Sequence, residues 1–403
     1  MFNIIELENG LENVQGFYCG ATNVGMRTNP ANSGISDLDG DVAFIRSEIA
    51  CDISAVFTSN TFQAAPIKHF QQYPQDFQTD FVLINAKNAN AMTGQKGVKD
   101  IETIMSALSI KQKVLNPVMS STGVIGYRLP INKITSAFET LDFNAKNSHH
   151  TARAIMTTDS FKKELAYKVE LEDGTSFNIA AICKGAGMIN PAMATMLCFI
   201  ITDAGIPKAD MNELLSSSTE QSFNRISVDG DTSTNDTVML LANKQSRNYN
   251  KEAFSQVLNK IMFELAMMIL RDGEGANKLV AFEVKGAKTL EDAKKASMAL
   301  SNSLLVKTAL FGEDPNWGRI ASTIGASGID CDDETLTIHY DDLLIYSSEF
   351  RELDKAREDK AYIIMKNDTF KVTCDIGLGE ANYTSYGCDL SYEYVKINAE
   401  YRT

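Results

Sequence analysis

Apolar patterning along the chain predicts an α/β protein, and three observations carry that prediction. Short apolar runs bounded by Gly, Asp and Asn alternate with stretches whose apolar residues recur every three or four positions. A composition of 44% hydrophobic and 22% charged residues, with 25 Gly and 8 Pro, is that of a globular chain and not of a disordered or collagen-like one. At 403 residues the chain exceeds one domain of roughly 100–200 residues, so two or three packed units are expected.

In chain order, Asp41 to Ile45 and Ala55 to Thr58 read as two β-rich runs, followed by a buried strand from Phe81 to Asn85. Gly97 to Leu108 has helical spacing through Val98, Ile101, Ile104, Met105 and Leu108, and Pro130 to Leu141 repeats it behind a proline start. Val169 and Leu171, then Phe177 and Ile179, flank Asp173-Gly174, a hairpin signal. A glycine-rich loop from Lys184 feeds Met196 to Ile201, which reads as a fully buried strand. Lys251 to Arg271 carries a wide apolar stripe, including Phe254, Leu258, Ile261 and Leu265, as a long core helix requires. From about residue 280 the pattern gives a strand (Lys278 to Val284), a helix (Leu290 to Leu305) and short strands to the end, together a second subdomain.

With 52 Asp and Glu against 38 Lys and Arg, the formal charge is −14, a balance that repels phosphate backbones and anionic membrane surfaces. Neither nucleic acid nor a membrane is expected as a partner. Seven cysteines (Cys19, Cys51, Cys183, Cys198, Cys331, Cys374, Cys388) are scattered and never form CxxC, the usage of reduced thiols in a cytoplasmic protein. The four histidines do not approach them at ligand spacing, so no metal site is expected. The start MFNIIELENG lacks the basic region and long apolar core of an export signal.

Common catalytic motifs fail in turn. Lys184-Gly185-Ala186-Gly187 follows a strand, but Asn190-Pro191 stands where a dinucleotide loop needs its third small residue, and a core strand follows where a helix should begin. There is no GxxxxGK[ST], GxSxG or HExxH. Asp229 to Asp236 resembles a calcium loop but lacks the sixth-position Gly and the twelfth-position Glu, and reads as a polar turn that positions its neighbours. Chemistry must then use Ser, Thr or Cys. The clusters that offer it are Ser120-Ser121-Thr122-Gly123, Met156-Thr157-Thr158-Asp159, the loop ending at Thr195, Asp272-Gly273-Glu274-Gly275, Glu313 to Arg319, and the tail from Asn398 to Thr403. Taken alone, they leave a soluble α/β protein, with acyl transfer as one option.

Taken together and in order, these clusters resemble the ornithine acetyltransferase (ArgJ) family of arginine biosynthesis, over nearly the whole chain. Its most specific piece is the run from Lys184 through Met188, Pro191 and Ala194 to Thr195-Met196-Leu197, which is similar to the family's self-cleavage motif KGxGMxxPxMATML. Val56 to Asn60, Asn85 to Asn90, Ser121 to Gly126, the Asp-Gly-Glu-Gly box at 272–275, Glu313 to Arg319 and Tyr394 to Asn398 match as well. Ala192 stands where many members have Asn and Met92 where many have Cys, departures that touch no residue with an assigned chemical role.

The resemblance implies a four-layer α/β/β/α fold of the self-processing, N-terminal-nucleophile-like (DmpA/ArgJ-like) kind, with a smaller C-terminal α/β subdomain. The core would span 1–279 and the subdomain 280–403, its tail returning to the active site. It implies a cut between Ala194 and Thr195, giving an α chain of residues 1–194 and a β chain of residues 195–403. Thr195 then becomes an N-terminal nucleophile, because a Thr hydroxyl needs a base and the freed α-amine supplies one. An α-amine of pKa about 7.7–8.0 is far better suited to that task near neutrality than a lysine at about 10.4. Carried over by motif, Thr122 and Gly123 form the oxyanion hole, and Thr157, Lys184, Thr195, Glu274, Asn398 and Thr403 bind substrate. The implied reaction moves acetyl from N2-acetyl-L-ornithine to L-glutamate without metal or cofactor, with acetyl-CoA as an optional co-substrate. The implied setting is an α2β2 heterotetramer in the cytoplasm. Two other readings stay open: an N-terminal-nucleophile amidase or aminopeptidase, and an uncleaved binding protein of the same fold.

Overall fold

The computed structural model describes residues 1–26, 40–190 and 196–400. The strands are β1 (Phe2–Glu6), β2 (Phe17–Thr22), β3 (Val42–Phe57), β4 (Gln78–Asn85), β5 (Val118–Ser121), β6 (Lys163–Leu171), β7 (Ser176–Lys184), β8 (Leu197–Thr202), β9 (Ile226–Ser227), β10 (Thr237–Ala242), β11 (Leu279–Ala287), β12 (Thr337–Tyr340), β13 (Leu343–Tyr346), β14 (Thr369–Asp375) and β15 (Ala381–Cys388). The helices are α1 (Ala65–Phe70), α2 (Gly94–Lys111), α3 (Ile131–Ser136), α4 (Ser148–Ala154), α5 (Lys208–Gln221), α6 (Lys251–Arg271), α7 (Leu290–Asn302), α8 (Leu304–Phe311), α9 (Trp317–Ala326), α10 (Lys355–Met365) and α11 (Tyr392–Glu400).

Strand alternation builds four layers. A nine-stranded sheet runs β1-β6-β7-β8-β10-β3-β4-β5, with β2 also on β3. Successive side chains of a strand point to opposite faces, and here each face finds its own core. Ala180 and Ile182 of β7, Phe199 of β8 and Met239 of β10 pack with Ile45, Val82 and Ile84 of β3 and β4, so the sheet is folded over on itself. Their neighbours Ile179, Cys198, Ile200 and Leu240 pack outward against Leu215 of α5 and Leu258, Ile261 and Leu265 of α6. On the far side, Phe44, Phe81 and Leu83 pack outward against Ile101, Ile104 and Leu108 of α2 and Ile134 of α3. The result is the α/β/β/α arrangement that the family resemblance implies. The fold in the sheet is made by β3, whose pairing to β4 shifts register between Arg46 and Cys51. Its first part lies between β2 and β4, and its later residues Asp52 to Phe57 pair with β10. Sequence patterning splits this strand into two runs because Arg46 and Glu48 interrupt the apolar pattern at the bend.

Helix α6 keeps the expected bounds, and Asn250 caps it by accepting from the Ala253 amide. It is long and apolar enough to cross a bilayer, but its apolar stripe is consumed by the sheet. The expected helix from Pro130 to Leu141 is shorter, with α3 passing into a 3-10 turn at Ala137. The expected helix from Leu290 to Leu305 is two, because Ser303 leaves the helical conformation and caps α8 through the Val306 amide.

The C-terminal unit carries a second sheet, β13-β12-β14-β11-β15-β9. Helices α7, α8, α9 and α10 cover it through Leu300, Leu310, Ile324 and Met365. Here the expectation of short strands to the end is corrected, since three helices follow α8. Helix α9 fully buries only Ile320 and Ile324 and α10 only Ala361 and Met365, and α11 buries none of its residues. Strand β9 joins this sheet from the preceding part of the chain by pairing with β15.

Candidate active site

The candidate site lies around the N-terminal end of β8. Strand β7 runs antiparallel to β8 with Lys184 opposite Leu197, and β10 runs parallel to it with Thr237 opposite Leu197. Register therefore sets Lys184 on one side of the strand start and Asp236 on the other. The Met196 amide donates to Asp236 Oδ1 at 2.9 Å, and the Thr237 amide donates to the Met196 carbonyl at 3.1 Å. Thr195, the expected nucleophile, precedes Met196 in sequence; it, Ala194 and Thr403 lie outside the described residues.

Thr122 and Gly123 follow β5, in the other central layer. Gly123 has φ +131°, and a Cβ there would lie 2.2 Å from the Lys87 carbonyl carbon, so only glycine fits. The Thr122 amide donates to the Asn85 carbonyl at 3.0 Å. Asn235 joins the two layers: its side-chain amide donates to the carbonyls of Ser121 (2.8 Å) and Ala89 (2.6 Å), while the adjacent Asp236 holds Met196. Lys87 extends the chain of contacts by donating to the Met156 carbonyl at 2.6 Å, beside Thr157.

Thr157, Lys184 and Glu274 come from three separate loops and strand ends. The amides of Thr157 and Gly185 both donate to the Asp159 carboxylate, at 3.0 and 2.7 Å. The Glu274 amide donates to the Ala186 carbonyl at 2.9 Å, and its carboxylate lies over Gly187, where a Cβ would sit 2.4 Å from Glu274 Cδ. Glu274 is 8% exposed, so it is not a solvated residue at a helix end. Asn398 of α11 donates to Glu274 Oε2 at 2.7 Å, bringing the tail helix back to the core. The structure thus links Thr122, Gly123, Thr157, Lys184, Glu274 and Asn398 in one hydrogen-bonded neighbourhood.

Burial sets the electrostatics. It pushes the Lys184 amine below the ordinary lysine value, against the opposing pull of Asp159 and Glu274. It pushes the Asp236 carboxyl well above the usual carboxylate range, and Asp236 Oδ2 has no hydrogen-bond partner among the described residues. Asp229 is pushed up to about 6 by burial, although the amides of Met188 and Ile189 donate to it at 2.6 and 2.9 Å. Those bonds hold Met188 at φ +56°, an uncommon conformation for a non-glycine residue.

A family model described as the ArgJ family matches residues 27–403, a span that contains every one of these residues. The chain belongs to the ArgJ family. It is 57% identical over 364 residues to "Arginine biosynthesis bifunctional protein ArgJ" of Wolinella succinogenes, covering 90% of this chain and 92% of that one. It is 42% identical over 382 residues to "Glutamate N-acetyltransferase" of Methanocaldococcus jannaschii, covering 90% and 94%. Among solved structures, a chain of arginine biosynthesis bifunctional protein ArgJ from Bacillus halodurans is 37% identical with a TM-score of 0.47, covering 50% of this chain and 98% of that one.

Around the positions carried over from ArgJ motifs, the structure adds residues that motif reading passed over. Asn235 and Asp236 fall in the stretch read as a polar turn, and they position their neighbours by direct hydrogen bonds. Asp159 closes the Thr-Thr-Asp cluster and Asp272 opens the Asp-Gly-Glu-Gly box, so both lay in motifs already marked, with the neighbouring residues assigned instead. Lys163 carries no motif signal at all.

Proposed function

We propose that the chain is a self-cleaving glutamate N-acetyltransferase. It takes acetyl from N2-acetyl-L-ornithine onto Thr195, releases L-ornithine, and passes the acetyl to L-glutamate to give N-acetyl-L-glutamate. Family membership carries the coarser statement, an acyltransferase of arginine biosynthesis. The finer one is supported by a single observation: Lys184, Glu274 and the Thr122-Gly123 turn meet around the start of β8, the strand that Thr195 precedes.

In this reading the Thr195 hydroxyl attacks the Ala194 carbonyl, the C–N bond breaks to leave an ester and a free amine, and water then releases the Ala194 carboxylate. The freed α-amine accepts the hydroxyl proton when Thr195 attacks the acetyl carbonyl of the donor, and returns it to the departing ornithine amine. The Thr122 hydroxyl and Gly123 amide donate to the oxyanion, and loss of one such donor typically costs about 10²–10³ in rate. Lys184 pairs with a substrate carboxylate and Glu274 with the ornithine side-chain ammonium. Thr157 and Asn398 contact the same substrate, and α11 helps keep water from the acetyl-enzyme, since hydrolysis would discharge it without transfer. The reaction exchanges one amino-acid amide for another and needs no cofactor.

Strands β7 and β8 lie on opposite sides of the proposed cut and are hydrogen-bonded neighbours, which supports fragments that stay together. An α2β2 assembly in the cytoplasm completes the proposal. It also extends to acetyl-CoA as a second donor, supported by the word bifunctional in the name of the Wolinella relative. Incubating the protein with N2-acetylornithine tests the main reading. Formation of N-acetylglutamate that depends on added glutamate supports it, whereas equal release of free acetate with or without glutamate identifies a hydrolase.

A further inference from the structure

Lys163, the first residue of β6, is 0% exposed and lies between two carboxylates, with Nζ 2.8 Å from Asp159 Oδ1 and 2.5 Å from Asp272 Oδ2. Each carboxylate also organises backbone. Asp159 accepts from the amides of Thr157 and Gly185. Asp272 accepts from the Ser160 amide at 3.0 and 3.1 Å and from the Ser160 hydroxyl. The three segments that carry Thr157, Lys184 and Glu274 lie up to 117 positions apart in the sequence, from 157 to 274, and this buried triad ties them to one another.

We propose that Asp159, Lys163 and Asp272 are positioning residues that set the spacing between Lys184 and Glu274, and so the distance between the carboxylate and ammonium groups that a substrate must carry. The proposal rests on the assignment of Lys184 and Glu274 to the two ends of the substrate. Gly185 directly follows Lys184, so the Asp159 bond to its amide fixes where the Lys184 backbone ends. Asp272 stands two residues before Glu274, whose own amide is bound to Ala186. The two anchors therefore act on both ends of one ruler, with Lys163 as its middle. The role is indirect, since none of the three supplies the charge that meets substrate. Buried ion pairs add little net stability compared with apolar replacements but specify geometry in some systems, and a displaced binding group is read mainly in KM.

The test uses the full chain with N2-acetylornithine and glutamate as substrates. Lys163→Met removes the shared cation at similar length, and the double variant Lys163→Met/Asp272→Asn also removes one stranded charge while keeping an acceptor for Ser160. The expected result is a KM raised roughly tenfold or more for both substrates in Lys163→Met with kcat per cleaved molecule changed less than about threefold. In the double variant the melting temperature should recover while KM stays raised. A KM that returns to the parent value together with the melting temperature makes the triad merely structural and overturns the proposal, as does a parental KM in Lys163→Met. If Lys163→Met does not fold, Asp272→Asn alone carries the same reading, with a raised KM supporting the proposal and a parental KM overturning it. Glu274→Gln, run alongside, separates the layers of the argument. Raised KM there with parental KM in the triad variants removes the ruler only, whereas parental KM in Glu274→Gln removes the substrate assignment beneath it.

Discussion

Lys163 and Lys184 stand at the same end of the β6–β7 hairpin and are similarly hidden, at 0% and 2% exposed, yet their amines shift in opposite directions. Desolvation penalises both charges. For Lys163 the facing carboxylates of Asp159 and Asp272 outweigh that penalty and hold its proton more tightly than usual. Lys184 has no ion pair among the described residues, and its amine is pushed down. Among the acids, Lys163 and Lys184 overrule burial at Asp159, which is held low, whereas burial prevails at Asp272 in spite of Lys163, and at Asp229 and Asp236, so that all three rise. One side of the site pairs its charges by direct contact, at 2.8 and 2.5 Å around Lys163, and acts as scaffold. The other keeps charges whose natural counterpart is a ligand, a reacting group or a proton.

Breaking the paired side should have the largest effect on stability. Removing one partner of a buried pair commonly costs about 3–5 kcal/mol, so Lys163→Met should lower the denaturant midpoint sharply. On the other side, Lys184→Met should do the reverse: a melting temperature equal to or above the parent, because an unpaired buried cation is gone, with kcat/KM down about 10²-fold, roughly 3 kcal/mol of lost carboxylate recognition. A common loss of stability in both variants would erase the distinction.

The unpaired acids predict a pH dependence. Asp229 has a folded value of about 6, above the ordinary carboxylate value of about 3.9 expected when unfolded. Its stabilising contribution is therefore complete below about pH 3.9 and is lost as pH rises through about 6, a change of up to about 3 kcal/mol. Asp229→Asn should flatten that part of the stability–pH curve, measured by urea unfolding at several pH values, and an unchanged slope would contradict the assignment. The smallest effect is expected at the tail. Truncation after Lys396 removes the Asn398 bond to Glu274 and should reduce acetyl transfer by about tenfold, the scale of one charge-assisted hydrogen bond, with little change in self-cleavage. Equal loss of both would show that α11 supports the fold and not the acetyl-enzyme.

The scaffold side was the part least legible in the sequence. Periodicity marks α6 and the buried β8 because their partners are nonspecific apolar surfaces, so each pattern can be read without knowing what covers it. The same logic misreads β3, where one strand bends between layers, and passes over α9 and α10, short helices that each fully bury only two residues. Glu274 and Lys184 were reached through motifs, by resemblance and not by spacing. Lys163 could not be reached at all: a lysine at a strand start looks solvated until the chain closes Asp272 onto it from 109 positions away. Charge pairing over such separations is a property of the fold, and only the short spacing from Asp159 to Lys163 left any trace in the sequence.

A nucleophilic Thr195 freed by self-cleavage underlies every proposed step, and intact-mass measurement of the purified chain with N2-acetylornithine in the absence of glutamate addresses it directly. The predicted result is two species, residues 1–194 and 195–403, with one acetyl group on the second that disappears when glutamate is added. A single uncut 403-residue species, or a cut protein that never carries acetyl on the 195–403 fragment, would contradict it.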